Sequence, residues 1–100
     1  MAKGATKVVT NTTDTTTATN AAVTVGSSST TVLAANTGRK GFSLVNDSDE
    51  TIYVSFSGTA VSGEGIRLNE KGGSVTDDVY QGVITAICAS GGKNLTVIEL

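Results

Sequence analysis

One hundred residues suffice for one small domain, and the 38% hydrophobic content is carried by Val, Ile, Leu and Ala, with 4% aromatics and no Trp, Pro or His. A formal net charge of −2 without clustered Lys and Arg excludes the electrostatic footprint of a nucleic-acid-binding protein. The single cysteine, Cys88, excludes an intramolecular disulfide and is expected as a buried, inert thiol, and no apolar run approaches the ~18 residues of a membrane span or forms a secretory leader.

From Met1 to about Thr31 the chain is almost wholly Thr, Ala, Ser, Asn, Gly and Val, a composition that cannot build a core by itself. It reads as an extended arm (1–31) in front of a compact domain (32–100). Two islands, Val8-Val9 and Ala22-Val23-Thr24-Val25, have the β-propensity to add as strands to another surface, so Val8, Val9, Val23 and Val25 are candidate interface residues.

Beyond the arm, apolar alternation is punctuated by Gly-rich and Asp/Asn-rich clusters, the pattern of an all-β protein. Strands are predicted at Ser28–Leu33, Gly41–Asn46, Thr51–Ser57, Gly65–Leu68, Gly73–Thr76, Val83–Ala89 and Asn94–Leu100. The fold class is a small antiparallel β-sandwich or barrel of about seven strands. The clearest strand is Thr51–Ser57, with Ile52, Val54 and Phe56 on one face and Tyr53, Ser55 and Ser57 on the other. Asn46-Asp47-Ser48-Asp49-Glu50 and Ser90-Gly91-Gly92-Lys93-Asn94 predict hairpins between the strands that flank them. Residues 57–65 read as an exposed connection and Glu70–Gly73 as a turn, with at most one helical turn near Asp77–Tyr80.

Without His, no Ser or Thr has an evident base, so no catalytic residue is assigned and the chain is expected not to be an enzyme. Asp47, Asp49 and Glu50 have calcium-like spacing but lack the turn glycine and distant Glu of a calcium loop, and Asp77-Asp78 reads as a turn cap. No metal or cofactor is expected. Arg39-Lys40, the one tight basic pair, could meet an acidic partner or form a solvated turn, and Tyr53 and Tyr80 are candidates for an interface because an apolar ring and a wet hydroxyl suit one.

The order of signals from Val32 to Leu100 resembles small virion proteins of tailed phages. It runs through Val32-Leu33-Ala34-Ala35-Asn36 and Arg39-Lys40-Gly41, then Leu44-Val45-Asn46-Asp47-Ser48-Asp49 and Ile52-Tyr53-Val54-Ser55-Phe56. It continues with Gly65-Ile66-Arg67-Leu68, Gly72-Gly73-Ser74 and Tyr80-Gln81-Gly82-Val83-Ile84-Thr85-Ala86-Ile87 before Ala89-Ser90-Gly91-Gly92. The resemblance implies a β-sandwich subunit of the head decoration or cement type, made in the host cytoplasm and located in the virion. Implied partners are other copies of itself, with a trimer as one arrangement, and the major capsid protein or neighbouring virion subunits; nucleic acid and membrane are not expected. A tail, connector or fibre subunit is the alternative within the particle, and a carbohydrate- or cell-surface-binding module the alternative outside it.

Overall fold

The computed structural model describes residues 15–100. Val8, Val9 and the first part of the predicted arm lie outside the described residues. The rest is all-β, with eight strands: β1 (Thr19–Val25), β2 (Thr30–Leu33), β3 (Phe42–Asn46), β4 (Ile52–Ser55), β5 (Ile66–Leu68), β6 (Ser74–Asp77), β7 (Ile84–Cys88) and β8 (Lys93–Glu99). They form two four-stranded sheets, ordered β1-β8-β3-β6 and β2-β7-β4-β5. Every pairing is antiparallel.

The topology follows one rule. β1 pairs with β8, β2 with β7, β3 with β6 and β4 with β5, so the chain is one long hairpin whose successive segments are laid alternately on the two sheets. The β3–β8 and β4–β7 pairings then complete each sheet. Eight strands in this order make a jelly roll. Alternation supplies the core: β3 buries Phe42, Leu44 and Asn46, β4 buries Ile52 and Val54, and β8 buries Leu95 and Val97. Val25, Val32, Leu68, Ile84, Ala86 and Cys88 fill the space between the sheets.

Two features differ from the sequence expectation. The first concerns the arm: its residues Thr19–Val25 form a strand of the first sheet, pairing along its whole length with β8 of the same chain, and Val25 is fully buried. Thr-rich sequence carries little apolar signal, and the hydrogen-bond ladder with β8 compensates for that. The second concerns the hairpins. β3 and β4 lie in different sheets, as do β7 and β8, so residues 46–50 and 90–94 are arches crossing the sandwich, and so is the turn 69–73 between β5 and β6. Asp, Asn and Gly report that a chain reverses, not whether the two strands then pair. Among the described residues the one hairpin between consecutive strands is β4–β5, closed by the loop predicted as a mere connection. No helix forms near Asp77–Tyr80; there the Asp77 carboxylate accepts hydrogen bonds from the Val79 and Tyr80 N–H groups at 3.0 and 2.8 Å.

Crossing loops leave ladder partners behind, and buried polar side chains at each end of the sandwich replace them. At one end Asn46 donates from Nδ2 to the carbonyls of Glu50 (2.8 Å) and Leu68 (2.9 Å) and accepts the Ser48 hydroxyl at 2.7 Å. Its main chain joins the 69–73 turn through Gly73 O and Gly72 N. Gly73 is required there, because a Cβ would collide with the backbone of Asn69.

At the other end Arg39, its side chain fully buried, donates from NH1 to the carbonyls of Tyr80 (3.1 Å) and Gly82 (3.0 Å), from NH2 to Ala34 O (2.7 Å) and from Nε to the Glu99 carboxylate (2.9 Å). Its guanidinium carbon lies 5.6 Å from the centre of the Phe42 ring. Phe42 meets Phe56 edge-on, and Phe56 stacks on Tyr80 at 4.9 Å.

Removing the Arg39 side chain leaves a buried carboxylate contact and several carbonyls unpaired, so Arg39→Ala is expected to cost about 3–5 kcal/mol, and Arg39→Lys, which lacks the planar fork, to recover only part of it. Lys40→Ala, exposed next door, is expected to stay within about 0.5 kcal/mol; urea unfolding of the three variants checks the contrast. A chain lacking residues 1–25 is expected to lose at least the ~1.5–3 kcal/mol of the buried Val25 side chain in the same measurement.

Candidate assembly interface

Six charged side chains serve the two ends of the sandwich. Glu50 accepts the N–H (2.9 Å) and hydroxyl (2.7 Å) of Ser90, and Asp49 pairs with Lys93 at 2.7 Å, so the two arches are clasped to each other. Glu99 holds Arg39, and Asp77 caps its turn. Among the described residues no group of three His, Cys, Asp or Glu side chains converges as a metal would require. Cys88 is buried and directs its thiol at the carbonyls of Val25 and Gly26; burial pushes its pKa up, away from a reactive thiolate. No helix among the described residues is long and apolar enough to cross a membrane.

With these groups engaged, the outer faces of the sheets are the surfaces left to meet a partner. On the first sheet the register turns Asn20, Ala22 and Thr24 of β1 outward, with Asn94, Thr96 and Ile98 of β8, Ser43 and Val45 of β3, and Ser74 and Thr76 of β6. None is charged. Small side chains along β1 leave a shallow trough of about 500 Å³ lined by Asn20, Ala21, Ala22, Ser43, Val45, Thr96, Val97 and Ile98. Ile98 is 43% exposed at its rim. Lys93, Glu99 and Asp77 have the opposite strand parity and turn away from this face.

The outer face of the second sheet is partly covered. The β4–β5 loop folds over it, with Ala60 N–H donating to Ser29 Oγ (2.8 Å) and Thr85 Oγ1 donating to Ser57 O (3.0 Å), and both Ala60 and Thr85 are buried. What stays open is one cross-strand row in which Tyr53 lies between Arg67 and Ile87.

The residues singled out in the sequence are therefore dispersed. Val25 is in the core and Val23 packs against it. Arg39 is a buried clamp rather than half of a solvated basic pair, while Lys40 is exposed. Arg39 is buried because three carbonyls, a carboxylate and an aromatic face converge on one guanidinium, a set drawn from distant segments. Tyr80 is half-buried, its ring on Phe56 and its hydroxyl donating to Val83 O at 2.8 Å, so it closes the core of its own chain. Tyr53 alone of the two tyrosines stands on an outer face. The trough residues Ala22, Val45, Thr96 and Ile98 were not singled out; the signal that finds them is the lack of charge at every outward position of the first sheet.

No family model, no curated protein and no solved structure matches this chain.

The arches carry a pH dependence. Lys93 beside Asp49, the Ser90 N–H and hydroxyl on Glu50, and the Tyr80 and Val79 N–H groups on Asp77 hold all three carboxyls below their ordinary values. The folded chain therefore binds these protons more weakly than the unfolded chain. The stabilisation is complete above the ordinary carboxyl range of about 4 and is lost as pH falls through the lower folded values. The combined variant Asp49→Asn, Glu50→Gln, Asp77→Asn is expected to be less stable at pH 7 and to lose less stability between pH 5 and 2, read as urea midpoints across that range.

Proposed function

We propose that this chain is a structural protein of a tailed-phage particle, of the decoration or cement kind, which binds and stabilises the head shell by surface contact. The observation that supports it best is the uncharged, trough-bearing outer face of the first sheet. A face without charges is cheap to desolvate, so a partner's apolar rim or main chain can be buried against Ala22, Val45, Thr96 and Ile98 without stripping water from an ion. The motif order from Val32 to Leu100 supports the phage context, and the roll provides a compact block with two sheet faces to offer a partner. Fold alone does not choose among the many functions of jelly rolls, and the choice rests on that face together with the motif resemblance.

The mechanism is additive contact. A shell presents many equivalent positions, so modest contacts from copies that also hold one another raise the effective concentration of each and keep all of them seated.

Purified protein added to head shells lacking it is expected to co-sediment with them and to raise the temperature at which they open. Val45→Glu and Thr96→Glu point away from the core, so the roll is retained while a carboxylate is placed at the contact. Shell affinity is expected to fall at least about tenfold, the equivalent of about 1.4 kcal/mol. Equal binding by wild type and variants, or no binding by wild type, overturns the reading. Capture at a single vertex or on tails, with none over the shell, supports the tail or connector assignment instead.

A further inference from the structure

The four sheet edges are unequal. β5 is a three-residue strand with Arg67 at its centre, β2 has a register shift between Thr31 and Leu33, and β6 ends on Asp77 followed by Asp78. Shortness, irregularity and charge are the usual devices that stop an edge from pairing with another chain. β1 has none of them. Its seven residues run in unbroken register with β8, without charge, Pro, Gly or bulge, and among the described residues nothing pairs with its outer side.

We infer that β1 is a self-association edge: two copies of this chain join antiparallel through Thr19–Val25, about a two-fold axis normal to the sheet, making one continuous eight-stranded sheet. An open main-chain edge is complemented by another strand, and β1 itself is the strand whose length and spacing match it. Charge selects a second copy. The chain carries a net −2, and in an antiparallel pairing centred on Ala22 the residues of β1 meet only residues of β1, none of them charged, so the joint sets no like charges against each other. Antiparallel pairing also brings the Thr19 end of one copy beside the Val25 end of the other.

The joint also has a consequence for the trough. Ala22 lies at the middle of β1 and faces outward, so the two troughs meet across the axis and form one uncharged surface of doubled extent. The pairing does not depend on the particle reading and is tested without shells.

Sedimentation of the full chain is expected to give twice the monomer mass. Ala22→Lys places like charges on the axis from an exposed, outward position, and is expected to return the protein to monomer with unchanged far-UV circular dichroism and with a thermal midpoint that no longer depends on protein concentration. Ala22→Cys is expected to form an interchain disulfide on mild oxidation, whereas Thr76→Cys on the opposite edge is not. Three results overturn the inference: a monomeric wild type, whose edge is then met by another protein or by the chain's own N-terminal segment; a dimer that survives Ala22→Lys; or crosslinking that favours Thr76→Cys.

Discussion

One guanidinium holds an entire end of this molecule. Arg39 reaches the loops on either side of it in sequence and in space, bonding Ala34 O before β3, Tyr80 O and Gly82 O between β6 and β7, and Glu99 at the end of β8. Three of these partners are main-chain carbonyls with no strand opposite them. A lysine could neutralise Glu99 but could not satisfy carbonyls in several directions from one rigid plane. The Phe42, Phe56 and Tyr80 rings pack alongside, so the polar clamp and the apolar plug close the same opening.

Asn46 does the corresponding work at the far end, and β3 lies directly between the two. The strand that runs through the middle of the first sheet thus carries the fold's polar anchors at both of its ends, one just before Phe42 and one at its last residue. Because the sandwich is held at its ends and through its core, the outer face of the first sheet is not needed to anchor any loop, unlike that of the second, which seats the β4–β5 connection. The first sheet can therefore present only Asn, Ala, Thr, Ser, Val and Ile to the outside. The proposed particle contact and the proposed self-association both use surface that the fold leaves unassigned.

Much of the fold was legible in the sequence, in those places where period-2 alternation is strong. Ile52, Val54 and Phe56 against Tyr53 and Ser55 give β4 its inner and outer faces unambiguously, and Leu95 and Val97 do the same for β8. β1 was legible only as β-prone, since Ala and Thr fall on both of its faces and give little apolar contrast, and its place in the sheet is decided by a partner at the other end of the chain. The arches at 46–50 and 90–94 resemble hairpin turns locally because the residues that bend a chain are the same in both cases. Arg39 beside Lys40 has the look of a solvent-facing pair; nothing in its neighbours announces that Ala34, Tyr80, Gly82 and Glu99 will converge on one of them. The candidate contact face was the least visible feature, because it consists of what is missing from outward positions rather than of any motif.

The nested pairing imposes an order in time. Partners are close along the chain for Ile52 and Leu68, farther for Phe42 and Asp77, farther again for Thr30 and Ala86, and farthest for Thr19 and Glu99. Loop closure is cheapest at the β4–β5 hairpin, and each pairing formed shortens the effective loop for the next, so the roll is suited to zipping outward from its middle. Among the described strands β1 is the first to leave the ribosome and the last to find its partner. A Thr- and Asn-containing strand is suited to that wait, because its hydroxyls and amide stay hydrated while the rest of the chain is synthesised. The weak apolar character that hides β1 in the sequence thus also lowers the cost of leaving it exposed until β8 arrives.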